Sequence, residues 1–213
     1  MSYSQNDEES MILRLLAGKV VSKRFLDIGA HDGVTFSNTR KLSDDGWAGT
    51  LVEPSPSAFI ALMRNYEGRA PVELVHAAIV AEGPQCLLKF HDSHGDMIST
   101  LDEKHRGLWQ GRPGHVKVLG AAVRPKVGFQ PIYVAALSVA SLIAQFPGPY
   151  DFVNLDVEGT NFELFGALPL RDLGVAVACI EYQDKKKEIT QLATAQGYTV
   201  AHTTNENLIL WRA

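Results

Sequence analysis

Cysteine is scarce in this 213-residue chain: Cys86 and Cys179 are the only two. Two thiols exclude a disulfide framework, and Cys179 falls in an apolar run that reads as a core strand. No sign of charge dominates. Twenty Lys and Arg against 24 Asp and Glu leave a net charge of −4, so no overall field draws the chain to nucleic acid or an anionic membrane. No apolar run approaches the length of a spanning helix. The opening Met-Ser-Tyr-Ser-Gln-Asn-Asp-Glu-Glu lacks the basic flank and apolar stretch of a secretory leader. The expectation is a cytoplasmic protein with reduced thiols. Gly-x-Gly-x-x-Gly is also missing, which disfavours a nicotinamide-dependent oxidoreductase.

What is present is an alternation of strand-like and helix-like segments within a chain that is 46% apolar and 21% charged. Asn6 or Asp7 caps a first helix bearing Met11, Ile12, Leu15 and Leu16. A strand at 25–28 leads to a helix expected at 34–46, then a strand at 49–53. Ser55 and Pro56 open a helix whose Phe59, Leu62, Met63 and Tyr66 recur at i, i+3, i+4 and i+7. Strands are expected at 72–80, 86–90 and 127–134, separated by a glycine-rich, irregular, basic insertion at about 92–126. Ser138 caps a helix carrying Val139, Leu142, Ile143 and Phe146. Buried strands at 150–156 and 175–181 flank a helix with Phe162, Phe165 and Leu168. A helix capped by Asp184 and a hairpin over 199–211 close the chain. This order predicts one α/β domain over 1–213. Its sheet is doubly wound, Rossmann-like and mostly parallel, with a C-terminal antiparallel hairpin.

Four acids fall where such a sheet binds ligands, outside the carboxyl ends of its strands. Glu53, Asp156 and Glu181 end strands, and Asp27 is embedded in the first one. That first strand runs into a turn, Gly29-Ala30-His31-Asp32-Gly33, where glycine lets backbone pass close to a ligand. An acid just before the turn repels a pyrophosphate and receives an ammonium. A ligand with both an ammonium and an adenosine fits this pattern, and S-adenosylmethionine is one.

Five segments together resemble the class I S-adenosylmethionine-dependent methyltransferases, and among them the FkbM family, over about residues 23–211. They are Leu26-Asp27-Ile28-Gly29-Ala30-His31-Asp32-Gly33, Val52-Glu53-Pro54-Ser55-Pro56, Val75-His76-Ala77-Ala78-Ile79, Phe152-Val153-Asn154-Leu155-Asp156-Val157-Glu158-Gly159, and Cys179-Ile180-Glu181. The resemblance implies that Asp27 attracts the methionine ammonium and that the Gly29, Ala30 and Gly33 backbone borders the cofactor. It implies a cofactor or substrate hydrogen bond from His31, and places Glu53 on the ribose hydroxyls. Pro54 and Ser55 would flank the adenosine, and His76, Ala77 and Ala78 the adenine. Asp156, Glu158 and Glu181 become the catalytic candidates. Thr160-Asn161 departs from the Ala-Glu-type pair common at this point in the family.

Neither cysteine follows a proline, which argues against cytosine C5 chemistry, and no Asn/Asp-Pro-Pro-aromatic turn follows Leu155 to serve base amino groups. Carboxylates suit a hydroxyl, so O-methylation of a small molecule or glycan is the reading. Nucleic acid is not expected as a substrate. A non-catalytic binding module on the same fold is the remaining alternative, and the strand-end acids speak against it. A divalent metal on Asp156 and Glu181 is a disfavoured alternative, two carboxylates being a thin site. Lys104, Arg106, Arg112, Lys117, Arg124 and Lys126, interleaved with His105, Trp109 and His115, suggest a loop that receives an anionic or sugar-bearing acceptor. His91 and His94 are read as surface residues.

Overall fold

The computed structural model describes residues 2–69, 71–94, 97–112 and 127–212. In chain order the elements are α1 (Glu8–Leu16), β1 (Arg24–Ile28), α2 (Arg40–Asp44), β2 (Ala48–Val52), α3 (Pro56–Tyr66), β3 (Val72–Val75), β4 (Ala78–Val80) and β5 (Cys86–Asp92). They continue with α4 (Glu103–Trp109), β6 (Gln130–Ser138), α5 (Val139–Gln145), β7 (Phe152–Leu155), α6 (Asn161–Ala167), β8 (Val177–Glu181), α7 (Lys186–Ala195), β9 (Thr199–Thr203) and β10 (Asn207–Trp211). A seven-stranded sheet has the order β3-β2-β1-β7-β8-β10-β9. Pairing from β3 through β8 is parallel, whereas β10 runs antiparallel to both β8 and β9. The chain winds outward from β1 to one edge and returns on the other side of β1 as β7. The switch point between β1 and β7 is where such sheets bind ligands.

Alternation within the strands sends side chains to two separate cores. Leu26, Ile28, Val153, Leu155 and Ile180 pack with Leu142, Leu164 and Ile189 on one face. Phe25, Leu51, Phe152 and Cys179 pack with Ile12, Leu16 and Leu62 on the other. Burying each large aliphatic side chain contributes about 1.5–3 kcal/mol relative to leaving it exposed. Because both faces are covered, the functional edge is the one formed by the strand ends.

Three expectations change. The helix expected at 34–46 shrinks to α2. Asp32 Oδ1 accepts from the Val34 and Thr35 amides, Phe36 has φ +54°, and Thr39 turns inward to Asp27, so this stretch competes with helix formation. The strand expected at 72–80 breaks at His76 and Ala77, giving β3 in the large sheet and β4 in a second sheet of order β4-β6-β5. His76 marks the step: its Nε2 lies 3.1 Å from the Pro54 carbonyl oxygen, and its ring stacks on Phe59 at 4.6 Å. At α7 the N-cap is Lys185 rather than Asp184, without a side-chain cap bond. No helix of the described residues is long and apolar enough to cross a membrane.

Candidate active site

A cavity of about 1100 Å³ opens at the carboxyl ends of β1, β2, β7 and β8. Asp27, Gly29, Ala30, His31, Glu53, Pro54, Ser55, Ala77, Ala78, Asp156, Glu158 and Glu181 all line it. Gly33 and His76 are not in its wall. Gly33 faces protein: a Cβ there would stand 2.4 Å from the Tyr66 ring and 2.6 Å from Leu62. His76 is exposed against Phe59.

Asp27 forms part of a polar floor beneath the cavity. Parallel register sets it beside Asn154 on β7, and Asn154 beside Cys179 on β8, so the three side chains share a face. Asp27 Oδ1 accepts from Asn154 Nδ2 at 2.9 Å, and Oδ2 accepts from Thr39 Oγ1 at 2.5 Å. Burial raises the Asp27 carboxyl above the ordinary range, opposed by these two donors. Asn38 donates to Asn154 Oδ1 at 3.0 Å, while its own buried Oδ1 has no hydrogen-bond partner. Asn38 lines the cavity, so an acceptor stands ready for a donor from a bound ligand.

The turn after β1 is set by close backbone contact. Gly29 has φ +93°, and a Cβ on it would fall 1.7 Å from the Asp156 carbonyl oxygen. The space glycine leaves is therefore filled by the β7 loop, not by ligand. His31 follows with φ +49° and donates its amide to Glu53 Oε2 at 2.9 Å, while Ser55 N donates to Oε1 at 2.6 Å. Each Glu53 oxygen keeps a further lone pair. Burial pushes Glu53 up to about 7, against the pull of those two amides and of His31. Ser55 Oγ donates to Asp92 Oδ1 at 2.6 Å, which ties the end of β5 in the small sheet to this loop.

On the other side of β1, Asp156, Glu158 and Glu181 converge. One carboxylate oxygen from each lies within 4.8 Å of the others. Asp156 opens to the cavity yet is surrounded by protein. Burial first, and then the Glu158 charge, push it up to about 8. Glu181 is raised well above its ordinary value by burial and by Asp156 and Glu158. Asn161 Nδ2 donates to Glu181 Oε2 at 2.6 Å, Gln183 Nε2 donates to the same oxygen at 3.1 Å, and the Val157 amide donates to Asn161 Oδ1 at 2.9 Å. Glu158 has φ +55° and Gln183 φ +46°, so non-glycine left-handed residues follow β7 and β8 as His31 follows β1. Such residues concentrate where a surrounding structure fixes a functional loop.

The basic insertion divides in two. Lys104, His105, Leu108 and Trp109 of the α4 region line the cavity. Arg106 instead pairs with Glu103, and Arg112 lies 5.7 Å from the Trp109 ring centre. Lys117, Arg124, Lys126 and His115 lie outside the described residues. His91, expected at the surface, is buried and pairs with Glu103 at 2.7 Å, whereas His94 is exposed. Sequence reasoning passed over Asn38, Thr39, Asn154 and Asn161. Asn154 carried a signal, being polar inside the buried run Phe-Val-Asn-Leu; Asn161 stood out only as a departure from a family pattern.

Set against known proteins, residues 27–200 match the model of the methyltransferase FkbM domain. No curated protein matches the chain. Solved structures with a similar course include a precorrin-6y C5,15-methyltransferase from Geobacter metallireducens GS-15 (TM-score 0.49, 12% identity, 96% of this chain and 87% of that one). Others are a ribosomal protein L11 methylase from Lactobacillus delbrueckii subsp. bulgaricus (0.47, 12%, 94% and 75%) and a human methyltransferase 10 domain containing protein (0.47, 12%, 97% and 80%).

Proposed function

We propose that this chain, which belongs to the FkbM methyltransferase family, moves a methyl group from S-adenosylmethionine to a hydroxyl oxygen of a small molecule or glycan. Methyl transfer itself follows from the family; the oxygen acceptor is our reading. The observation that carries it is the half-buried carboxylate cluster of Asp156, Glu158 and Glu181 on the wall of the cavity. A hydroxyl is a poor nucleophile until its proton is taken, and the Asp156 and Glu181 carboxyls, raised by burial, suit that task.

The residues present fit the cofactor. The cavity is large enough for it, and the unpartnered Asn38 Oδ1 beside the Asp27 network offers an acceptor to an ammonium. Glu53, held by two amides with lone pairs to spare, would accept the ribose hydroxyls. Pro54, Ser55, Ala77 and Ala78 would border the adenosine. Bound there, S-adenosylmethionine supplies an electrophilic methyl on a sulfonium sulfur.

Asp156 would take the acceptor proton directly. Glu181, steadied by Asn161 and Gln183, would share that proton with it. His105 and Trp109 of α4 would contact the acceptor and hold its hydroxyl in line, since alignment supplies much of the rate in a displacement. The test is incubation with methyl-labelled S-adenosylmethionine and a panel of hydroxylated acceptors. Label recovered in an alkali-stable ether supports the reading; label only on amines or carboxylates overturns it.

A further inference from the structure

We propose that Asp92 is a positioning residue for the cofactor, acting through Ser55 on Glu53 and setting how strongly acid weakens the ribose contact. The proposal rests on the reading of Glu53 as the ribose acceptor. Asp92 itself ends β5 in the small sheet and does not line the cavity.

Ser55 joins the two acids with one hydrogen bond to each. Its amide donates to Glu53 Oε1 at 2.6 Å, and its hydroxyl donates to Asp92 Oδ1 at 2.6 Å. Ser55 is also the N-cap of α3, where a serine ordinarily turns its oxygen onto the first amides of its own helix. Here it makes no cap bond, and the hydroxyl is given to Asp92 instead. Asp92 Oδ1 accepts from Ser99 Oγ as well, at 3.4 Å, and Ser99 Oγ is held by the Ser93 amide at 2.9 Å. Both Glu53 and Asp92 are buried, at 6% and 5% exposure.

Asp92 is a buried acid that the transfer chemistry leaves unused. Among the described residues no lysine or arginine pairs with it, and the exposed His94 ring stands 3.5 Å from Oδ2. Its charge is therefore felt at Glu53. Burial is the main cause that holds Glu53 at about 7; the Ser55 amide, the His31 charge and the His31 amide oppose it, and the Asp92 charge adds to it. The other titratable groups facing this loop are Asp32, 3.6 Å from the His31 ring, and His76 on the Pro54 carbonyl oxygen. Asp27 and Asp156 line the same cavity. Removing the Asp92 charge leaves all of these in place, so Glu53 should ionise at lower pH and acid should weaken cofactor binding less.

The experiment is calorimetry of the full-length protein with S-adenosylhomocysteine at pH 6 and pH 8, for the parent, Asp92→Asn and Asp92→Ala. Asp92→Asn keeps an acceptor for the Ser55 hydroxyl. It should bind at least about twofold tighter than the parent at pH 6 and equally at pH 8, where Glu53 is ionised in both. Asp92→Ala releases Ser55 and should bind about two- to tenfold more weakly than the parent at pH 8. Ser55→Ala breaks the same link from the other end and should repeat that loss if Asp92→Ala does not fold. The titration midpoint of the Glu53 carboxyl, followed by carbon-13 NMR on glutamate-labelled protein and identified by its loss in Glu53→Gln, should fall in Asp92→Asn. An Asn variant that binds like the parent at both pH values, or more weakly at both, overturns the proposal, as does an unmoved midpoint. A lowered midpoint in a protein that does not bind S-adenosylhomocysteine refutes the ribose reading of Glu53 and leaves the link from Asp92 to Glu53 standing.

Discussion

Glu53 ties cofactor affinity to pH. Its carboxyl is buried and sits at about 7, so near neutrality it is about half ionised. Ribose hydroxyls donate to the ionised form, which means a bound cofactor must find, or create, the carboxylate. With a free-protein value near 7, the ionised share falls from about nine-tenths at pH 8 to about one-tenth at pH 6. Affinity for S-adenosylhomocysteine should therefore drop about tenfold between those values, or about 1.4 kcal/mol. The sign is fixed: acid weakens binding. Glu53→Gln keeps the shape and one acceptor oxygen but removes the titration, so its affinity should be nearly flat over this range and below that of the parent at pH 8. Neighbouring charges enter both proteins alike: His31 lowers the Glu53 value, Asp92 raises it, and Asp156 titrates separately nearby. The difference between the two curves thus isolates Glu53. Isothermal titration calorimetry at pH 6, 7 and 8 measures it directly. Parallel curves for parent and variant would refute the assignment of Glu53 to the ribose.

Asp156→Asn should cut turnover by roughly 10²–10⁴-fold while leaving S-adenosylhomocysteine affinity nearly intact, as measured by radiolabel transfer and calorimetry. The same substitution has a stability signature. Asp156 titrates at about 8 when folded against 3.8 ordinarily, so the folded protein holds the extra proton, and stability is lost as pH rises through that window. Thermal melts from pH 4 to pH 8 should therefore fall less steeply for the Asn variant. Gly29→Ala combines a left-handed backbone with a Cβ only 1.7 Å from the Asp156 carbonyl oxygen, and should cost more than about 3 kcal/mol in urea unfolding. Trp109→Ala should raise the acceptor Michaelis constant and spare cofactor binding; equal loss of both would move Trp109 to the cofactor side.

The strand-end acids could be read from the sequence because buried parallel strands are nearly continuous apolar runs, and an acid at the end of one is conspicuous. Asp27, Glu53, Asp156 and Glu181 all reach the cavity wall for that reason. Gly33 misled because a glycine in a ligand-type turn has two uses, and here Tyr66 and Leu62 take up the space it leaves. Asn38 and Thr39 were read as helix because periodicity reports an apolar face and is silent about a polar side chain turning inward to Asp27 and Asn154. Glu158 stood in a recognisable motif, but its convergence with Glu181 depends on Asn161 folding back across the β7–β8 pair. That bridge of 20 residues in sequence is set only by tertiary contact.

The Asp156 carbonyl that fills the missing Cβ of Gly29 makes the two central loops one rigid piece. The Asp156 amide donates to the Ile28 carbonyl, and the Gly29 and Ala30 amides both donate to the Val52 carbonyl, so three neighbouring strand ends are stitched together by main chain. Side-chain substitution cannot retune such a junction, because no side chain makes it. The relative placement of the Glu53 and Asp156 carboxyls is thus a fixed ruler across lineages that keep this backbone. Acceptors of different length or bulk then have to be accommodated by residues 97–109, where Met97, Ile98, Leu108 and Trp109 line the same cavity through side chains. A swap of that segment between relatives should carry acceptor choice with it and leave the cofactor half unaltered.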